Sequence, residues 1–484
     1  MVKKINIAYL AAEAVPFVKV GGLADVAGSL PKSILSLNEE PYRDIDYDLR
    51  VVLPLHHSGD SHNLKLERIS SYDILEGTRK TEITAFKSIM NGVITYFLDW
   101  SFLNDHQEVY STIPEVEQEK YLIFSIAVMN LFKLIRWRVD VLHANDWHTA
   151  LCMNLLNSQK YQGYYINTSA ILSIHNLAYM GGHCRRLLAE YKISYNTDPD
   201  MPEWAIDQPL PIGLISADKI APVSETYASE IQTTEYGCGL NKYLSKNKNK
   251  ITGIINGLDT GYWNPLTDSL INSNYDINHL DNRKNNKIYL QKILHLKIQE
   301  NLPLIGMVTR INQQKGIDLA LKVLSSIAKK GWQLVILGTG DPSLELDILN
   351  FQREFPEKIV FVNSYDEKFA HQIYAGADIF FMPSRYEPCG LSQMIANRYG
   401  CIPVVTGVGG LKDTIVDNIN GFVANKVKLS SIKKSLKKSI VTFKNIDEWQ
   451  KIQINAMRKD FSWGKSAMKY TDLYRNTRKN RGEL

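Results

Sequence analysis

Short apolar runs alternate with amphipathic stretches along this chain, and the whole pattern occurs twice. In the first half the runs are INIAYL (5–10), LRVVLP (49–54), VITYFL (93–98), VDVLHA (139–144), AILSIH (170–175) and DKIAPVS (218–224). In the second they are PLIGMVT (303–309), WQLVILG (332–338), KIVFVNS (358–364), DIFFMPS (378–384) and CIPVVTG (401–407). Runs this short and this uniformly apolar predict strands buried on both faces, as in parallel sheets covered by helices. Helical periodicity fills several gaps, including Glu119 to Leu134. Ile317, Ala320, Leu321, Leu324, Ile327 and Ala328 return at three and four, which makes one helix face. Two such blocks predict two doubly wound α/β domains, and 484 residues suffice for each to bury its own core.

Gly, Asp, Asn and Pro cluster in NGLDTGYWNP (256–265), so the break is expected there. The reading gives a first domain over 1–255, a second over 256–458, and a closing helix over 459–484, beginning DFSWGKSAMKYTDLY. Segment 266–300 is polar and is expected to be a surface excursion. Doubly wound sheets bind ligands beyond the carboxyl ends of their strands, so two facing sheets would form a cleft.

Composition excludes several classes. With 44% apolar and 22% charged residues and no apolar run of bilayer length, no membrane association is expected. The N-terminal MVKKINIAYLAAE has lysines before an apolar stretch, but that stretch is short and meets Glu13 at once. It reads as a first strand with no transit segment before it. Five cysteines at wide spacing, with no CxxC pair, indicate neither a disulfide framework nor a zinc ribbon and suit a reducing cytoplasm. The +5 net charge is dispersed, and the basic run NKYLSKNKNK (241–250) lacks arginines and interleaved aromatics. It reads as a solvated loop, and no nucleic-acid partner is expected.

Chemistry-bearing residues gather at the predicted strand ends. After the first strand, Gly21 and Gly22 make a loop whose backbone could approach a phosphate, with Lys19 supplying charge. For the Gly-Gly pair alone, a tight strand-to-helix turn is the better explanation. The segment is not GxGxxG, so a nicotinamide dinucleotide loses its main support. HANDWHTAL places Asp146, Trp147 and His148 at a sheet edge, where carboxylate and indole together suit a sugar. SIHNLAYMG puts His175 at the end of the fifth strand, while His143 lies inside its strand and reads as core. No His/Asp spacing suggests a metal.

In the second half, VTRINQQKG sets Arg310 at a strand end and Lys315 before a helix, two cations fit to receive a diphosphate. SRYEPCGLSQMIANRYG (384–400) places Glu387 between a strand and a helix, followed by Cys389, Gly390 and Leu391. Alone, Glu387 reads as a helix-capping charge. Beside a diphosphate site it reads as the stabiliser of positive charge developing on a sugar.

Together, KVGGLADVAGSLP, HANDWHTAL, SIHNLAYMG, INGLDTGYWNP, GMVTRINQQKGIDL, GTGDP, YAGADIFFMPSRYEPCGLSQMIANRYG and VVTGVGGLKDT resemble the bacterial glycogen synthase and plant starch synthase family, in order, over almost the whole chain. The resemblance implies the GT-B arrangement: two Rossmann-like domains facing across a deep cleft, with the C-terminal helix crossing back to the first. It implies retaining transfer of glucose from ADP-glucose to the non-reducing end of an α-1,4-glucan, glycogen or starch, with no cofactor and no metal. Position by position it implies a catalytic set of Glu387, His175, Lys19, Arg310 and Lys315. The donor site would comprise Lys19, Gly22, Asp25, Asn256, Arg310, Lys315, Tyr365, Cys389, Gly390 and Leu391. The acceptor side would comprise Glu13, Asp146 and Trp147.

Two departures limit the transfer of roles. LPIGLISADK (210–219) stands where many relatives carry a lysine before the alanine, so no role is assigned there. The position of a second glutamate found in the wider GT-B group, eight after Glu387, is Ile395. Mechanisms that need two carboxylates are therefore not open to this chain. A UDP-glucose-dependent transferase, and an epimerase or hydrolase on the same scaffold, remain as alternatives.

Overall fold

The computed structural model describes residues 3–39, 44–57, 64–76 and 79–480. The chain divides into two compact units, 1–257 together with 463–484, and 258–462.

The first unit is built on β1 (Lys3–Leu10), β2 (Ile45–Pro54), β3 (Glu67–Glu76), β4 (Arg79–Met90), β5 (Val93–Asp99), β6 (Val141–Asn145), β7 (Ser169–Ile174) and β8 (Lys219–Pro222). They form one eight-stranded sheet in the order β3-β4-β5-β2-β1-β6-β7-β8. From β5 to β8 all pairs are parallel. Those six strands follow the doubly wound order 3-2-1-4-5-6, with its switch point between β1 and β6. The antiparallel pair β3 and β4 extends one edge. It has no apolar run to announce it, because only alternate residues such as Ile83 and Ala85 are buried.

The C-terminal helix, Trp463–Asn480, belongs to this unit. Its Trp463, Ala467, Tyr470, Leu473 and Tyr474 share a buried cluster with Val26, Leu30 and Ile34 of helix Gly22–Ser36. Each large side chain so buried contributes about 1.5–3 kcal/mol. His143, as its place inside a strand predicts, is core: one ring nitrogen lies 2.7 Å from Tyr474 Oη and the other 2.7 Å from Ser173 Oγ. The basic run at 241–250 is not a loop. It forms helix Asn241–Lys246, which buries Tyr243 and Leu244 while its lysines face solvent.

The second unit holds β9 (Leu304–Val308), β10 (Gln333–Leu337), β11 (Ile359–Val362), β12 (Ile379–Met382), β13 (Ile402–Thr406) and β14 (Phe422–Ala424). All pairs are parallel, in the order β11-β10-β9-β12-β13-β14. This is again 3-2-1-4-5-6, with the switch point between β9 and β12.

The expectation of a surface excursion over 266–300 is overturned by helix Arg283–Ile293. Arg283 and Lys287 are buried and reach the Asp378 carboxylate at 3.6 and 2.7 Å. Lys287 Nζ also donates to the carbonyls of Glu300 and Leu302, and Arg283 to those of Tyr399 and Ala377. A polar segment reads as exposed in sequence, but here Arg283 and Lys287 are buried because both are paired with Asp378.

Candidate active site

In the second unit two sequence-predicted residues, Lys315 and Glu387, meet at the switch point. Glu387 follows β12 and is 5% exposed, while Lys315 precedes helix Ile317–Ser325. Lys315 Nζ lies 2.6 Å from Glu387 Oε2, and Ser384 Oγ donates to the same oxygen at 3.1 Å. A charge pair this well shielded is stronger than a surface pair and more costly to leave half-made.

The loops that carry the pair are packed into each other. Gly316 has φ +68°, and a Cβ there would fall 2.1 Å from the carbonyl oxygen of Pro383, so only glycine fits. Glu387 is fixed from behind as well, its carbonyl accepting from Gly410 N at 3.0 Å. Arg310, at the end of β9, is exposed, and none of the described hydrogen bonds or ion pairs engages its guanidinium.

Cys389 is buried, and Gly390 has φ +74°. Both their carbonyls accept from Gln393 Nε2 at the head of helix Ser392–Arg398. Tyr365 lies on the loop after β11 and is 73% exposed. Ile395 is buried and apolar where a second glutamate would lie.

In the first unit the corresponding strand ends carry a second constellation. Glu13 is 1% exposed, and its carboxylate accepts from Val20 N at 2.5 Å, from Gly21 N at 2.9 Å and from Tyr110 Oη at 2.9 Å. It therefore shapes the Gly-Gly loop, a contact that the resemblance did not imply. Burial pushes its carboxyl above the usual range, and the amides of Gly21 and Val20 offset part of that. On the same loop Lys19 Nζ pairs with Asp25 Oδ1 at 2.8 Å, and Gly22 opens the helix.

Asp146 adopts φ 54°, unusual for a residue other than glycine. Its Oδ1 accepts from His175 N at 2.7 Å and Asn176 N at 3.3 Å, which ties the end of β7 to the end of β6. Burial pushes its carboxyl up to about 7, less the help of those two amides, with the Glu13 charge adding to the rise. His175 Nε2 lies 2.9 Å from Asn145 Oδ1. Asn145 Nδ2 donates to the Leu10 carbonyl, so its Oδ1 is the oxygen and the His175 proton sits on Nε2. Burial pulls this imidazole down to about 4, so it is neutral at physiological pH.

Trp147 is buried. It lies over His148 at 4.1 Å between ring centroids and meets Tyr121 edge-on at 5.5 Å. Asn256 is 5% exposed, and its Oδ1 finds no donor among the described residues, which leaves it an acceptor to offer. Sequence reasoning missed Ser384, Tyr110 and Asn145. The first and last lay inside quoted motifs, whereas nothing near Tyr110 signals its bond to Glu13.

Residues 6–246 match the model of the starch synthase catalytic domain, and residues 292–447 match that of glycosyl transferases group 1. A glycogen synthase of Lactobacillus acidophilus is 36% identical, with 97% of this chain and 99% of that protein covered. One from Bacillus cereus is 35% identical over 98% and 99%. The chain belongs to the glycogen and starch synthase family.

Family membership makes it a glycosyltransferase, and its two parallel-sheet units are those of the GT-B fold. Among solved structures, the catalytic domain of starch synthase IV from Arabidopsis thaliana, bound to ADP and acarbose, superposes with a TM-score of 0.88. It is 27% identical and covers 99% of both chains. Glycogen synthase relatives thus match along the full length, so both strand-end constellations fall within the shared region.

Proposed function

We propose that this family member elongates an α-1,4-glucan, transferring glucose from ADP-glucose to the non-reducing end with retention of configuration and release of ADP. The observation that carries the reading is the Lys315–Glu387 pair at the switch point, with an exposed Arg310 on the loop after β9. A diphosphate needs fixed cations, and a sugar losing its leaving group needs a nearby carboxylate. ADP as the nucleotide is supported by the starch synthase IV structure, which holds it.

In this mechanism the bond between anomeric carbon and phosphate oxygen breaks, and its electron pair goes to the departing ADP. Arg310 and Lys315 stabilise that charge, so no metal ion is invoked. Glu387 favours the positive charge that develops on the glucose. The acceptor 4-hydroxyl attacks from the face the phosphate is leaving, and its proton passes to the phosphate oxygen. A double displacement would need a nucleophile on the opposite face and an acid/base carboxylate, and Ile395 supplies neither.

Lys19, Gly22, Asp25, Asn256, Tyr365, Cys389, Gly390 and Leu391 are assigned to the donor, and Asp146 and Trp147 to the acceptor side. His175, neutral and with its proton on Nε2, offers Nδ1 as an acceptor near the transferring glucose. The compartment proposed is the cytoplasm, where buried cysteines such as Cys152, Cys184 and Cys401 stay reduced.

The test is a donor comparison: purified protein, a maltooligosaccharide primer, and ADP-glucose or UDP-glucose in separate reactions. Primer lengthening with ADP-glucose at least about tenfold faster, a difference of about 1.4 kcal/mol in transition-state binding, is expected. Equal or better use of UDP-glucose would overturn the donor assignment.

A further inference from the structure

Beyond Phe380 the two middle strands of the second sheet part. The register between β9 and β12 contains the pairs Ile379–Ile305 and Phe380–Gly306, yet β9 runs on to Val308 and β12 to Met382. The crevice that opens is the one at which strand order reverses. Each wall is tied to its own half of the sheet. On the β9 side, Ile311 N donates to Thr339 O at 2.8 Å and Asp341 N to Ile311 O at 2.7 Å. On the β12 side, Thr406 Oγ1 donates to Ser384 O at 2.5 Å.

The polar links that cross from wall to wall, apart from Lys315–Glu387 itself, concentrate on Arg385. Its guanidinium makes two parallel bonds to the Asp318 carboxylate, at 2.7 and 2.8 Å, and a third to Gln313 O at 2.8 Å. Its backbone N donates to Gln314 O at 2.8 Å, and Gln314 Nε2 reaches back to Tyr386 O at 3.3 Å. Arg385 thus grips the Gln313–Asp318 stretch, which contains Lys315, from a position two residues before Glu387.

We propose that the Arg385–Asp318 fork is a positioning device for glucosyl transfer, holding the Lys315 loop and the Glu387 loop together while the lysine is engaged by the donor's diphosphate. The inference rests on the functional reading above. Without ligand, the attraction of Lys315 for Glu387 itself helps close the crevice. A diphosphate competes for that ammonium and repels the carboxylate, so the direct link weakens when alignment matters most. The fork lies outside that competition. Its two-point geometry fixes angle as well as distance, which a lysine in place of Arg385 would not do. Arg385 and Asp318 have side chains 34% and 20% exposed, so the pair adds little to global stability. Its effect falls on turnover.

The experiment compares R385A, D318N, R385K and the double variant R385A/D318N with the parent. The readouts are kcat, donor and acceptor KM, Tm, and amide hydrogen exchange of 311–316 and 384–390. R385A and D318N are each expected to lower kcat by about 10–100-fold through misplacement. Donor KM should stay within about threefold, the signature of a contribution made in the transition state.

R385K should fall between parent and R385A, the double variant should be no worse than R385A, and both loops should exchange faster at nearly unchanged Tm. Unchanged kcat, a raised donor KM with kcat retained, a Tm loss that tracks the activity loss, or unchanged exchange would each overturn the proposal. Absence of glucosyl transfer in the parent would instead sink the functional reading. The exchange comparison would then still decide whether the fork clamps the two loops.

Discussion

Lys315 Nζ and Glu387 Oε2 stand 2.6 Å apart although 72 residues separate them in sequence. They meet because β9 and β12 are adjacent at the reversal of strand order, so the loops leaving both strands share one crevice. A cation and a carboxylate held there are suited to the two charges that separate when a sugar leaves a diphosphate.

Removing the cations should cost turnover. K315A and R310A are each expected to lose about 10²–10³ in kcat, the usual scale for one preorganised charge. Initial rates at saturating donor and primer check this. E387Q keeps the shape of the side chain and removes its charge, and near-normal activity in that variant would contradict the electrostatic role.

Glu13 should act through the Gly-Gly loop. Its carboxylate receives the Val20 and Gly21 amides and the Tyr110 hydroxyl. Glutamine has a single acceptor oxygen, so E13Q loosens a loop assigned to the donor. Donor KM is expected to rise about tenfold, the equivalent of one lost charge-assisted hydrogen bond, with acceptor KM unchanged. Kinetics with each substrate varied separately distinguish this from direct acceptor binding.

Asp146 should impose a pH dependence on stability. Burial raises its folded-state value to about 7, whereas the unfolded chain titrates in the ordinary range near 4. Between those values the folded state holds a proton that the unfolded state has lost, so the Asp146 contribution declines as pH rises through the window. D146N keeps an acceptor for the His175 amide and has no proton to lose. The Tm advantage of the parent over D146N, measured from pH 4.5 to 7.5, should therefore shrink with rising pH. A constant or growing advantage would contradict it.

The closing helix should be indispensable to the first unit. A chain ending at Ser462 lacks Trp463, Tyr470 and Tyr474, all buried in that core, and strips His143 of its Tyr474 partner. Three large side chains at about 1.5–3 kcal/mol each approach the full stability of a domain. Loss of the cooperative thermal transition of that unit is expected, followed by calorimetry.

Much of this architecture was legible because buried parallel strands declare themselves as apolar runs. Each expected run contains a strand, from INIAYL to CIPVVTG. What stayed hidden has physical causes. The edge hairpin β3–β4 alternates polar and apolar residues, and β14 is only three residues long. Arg283 and Lys287 are buried by virtue of Asp378, a partner far away in sequence.

In the site, Lys315 and Glu387 were legible as residue types at strand ends, but their contact was not. Neither were the Ser384 hydroxyl on Glu387, the Tyr110 bond to Glu13 or the grip of Arg385 on Asp318. Such pairings depend on where loops from separate strands converge, and no local periodicity encodes that.

The most direct measurement incubates the protein with ADP-[¹³C]glucose and a maltooligosaccharide of defined length, then reads ADP release and the new linkage by NMR. The account predicts one ADP per glucose added, with the label in an α-1,4 linkage at the non-reducing end. Free labelled glucose with an unextended primer, or a β-linked product, would contradict it.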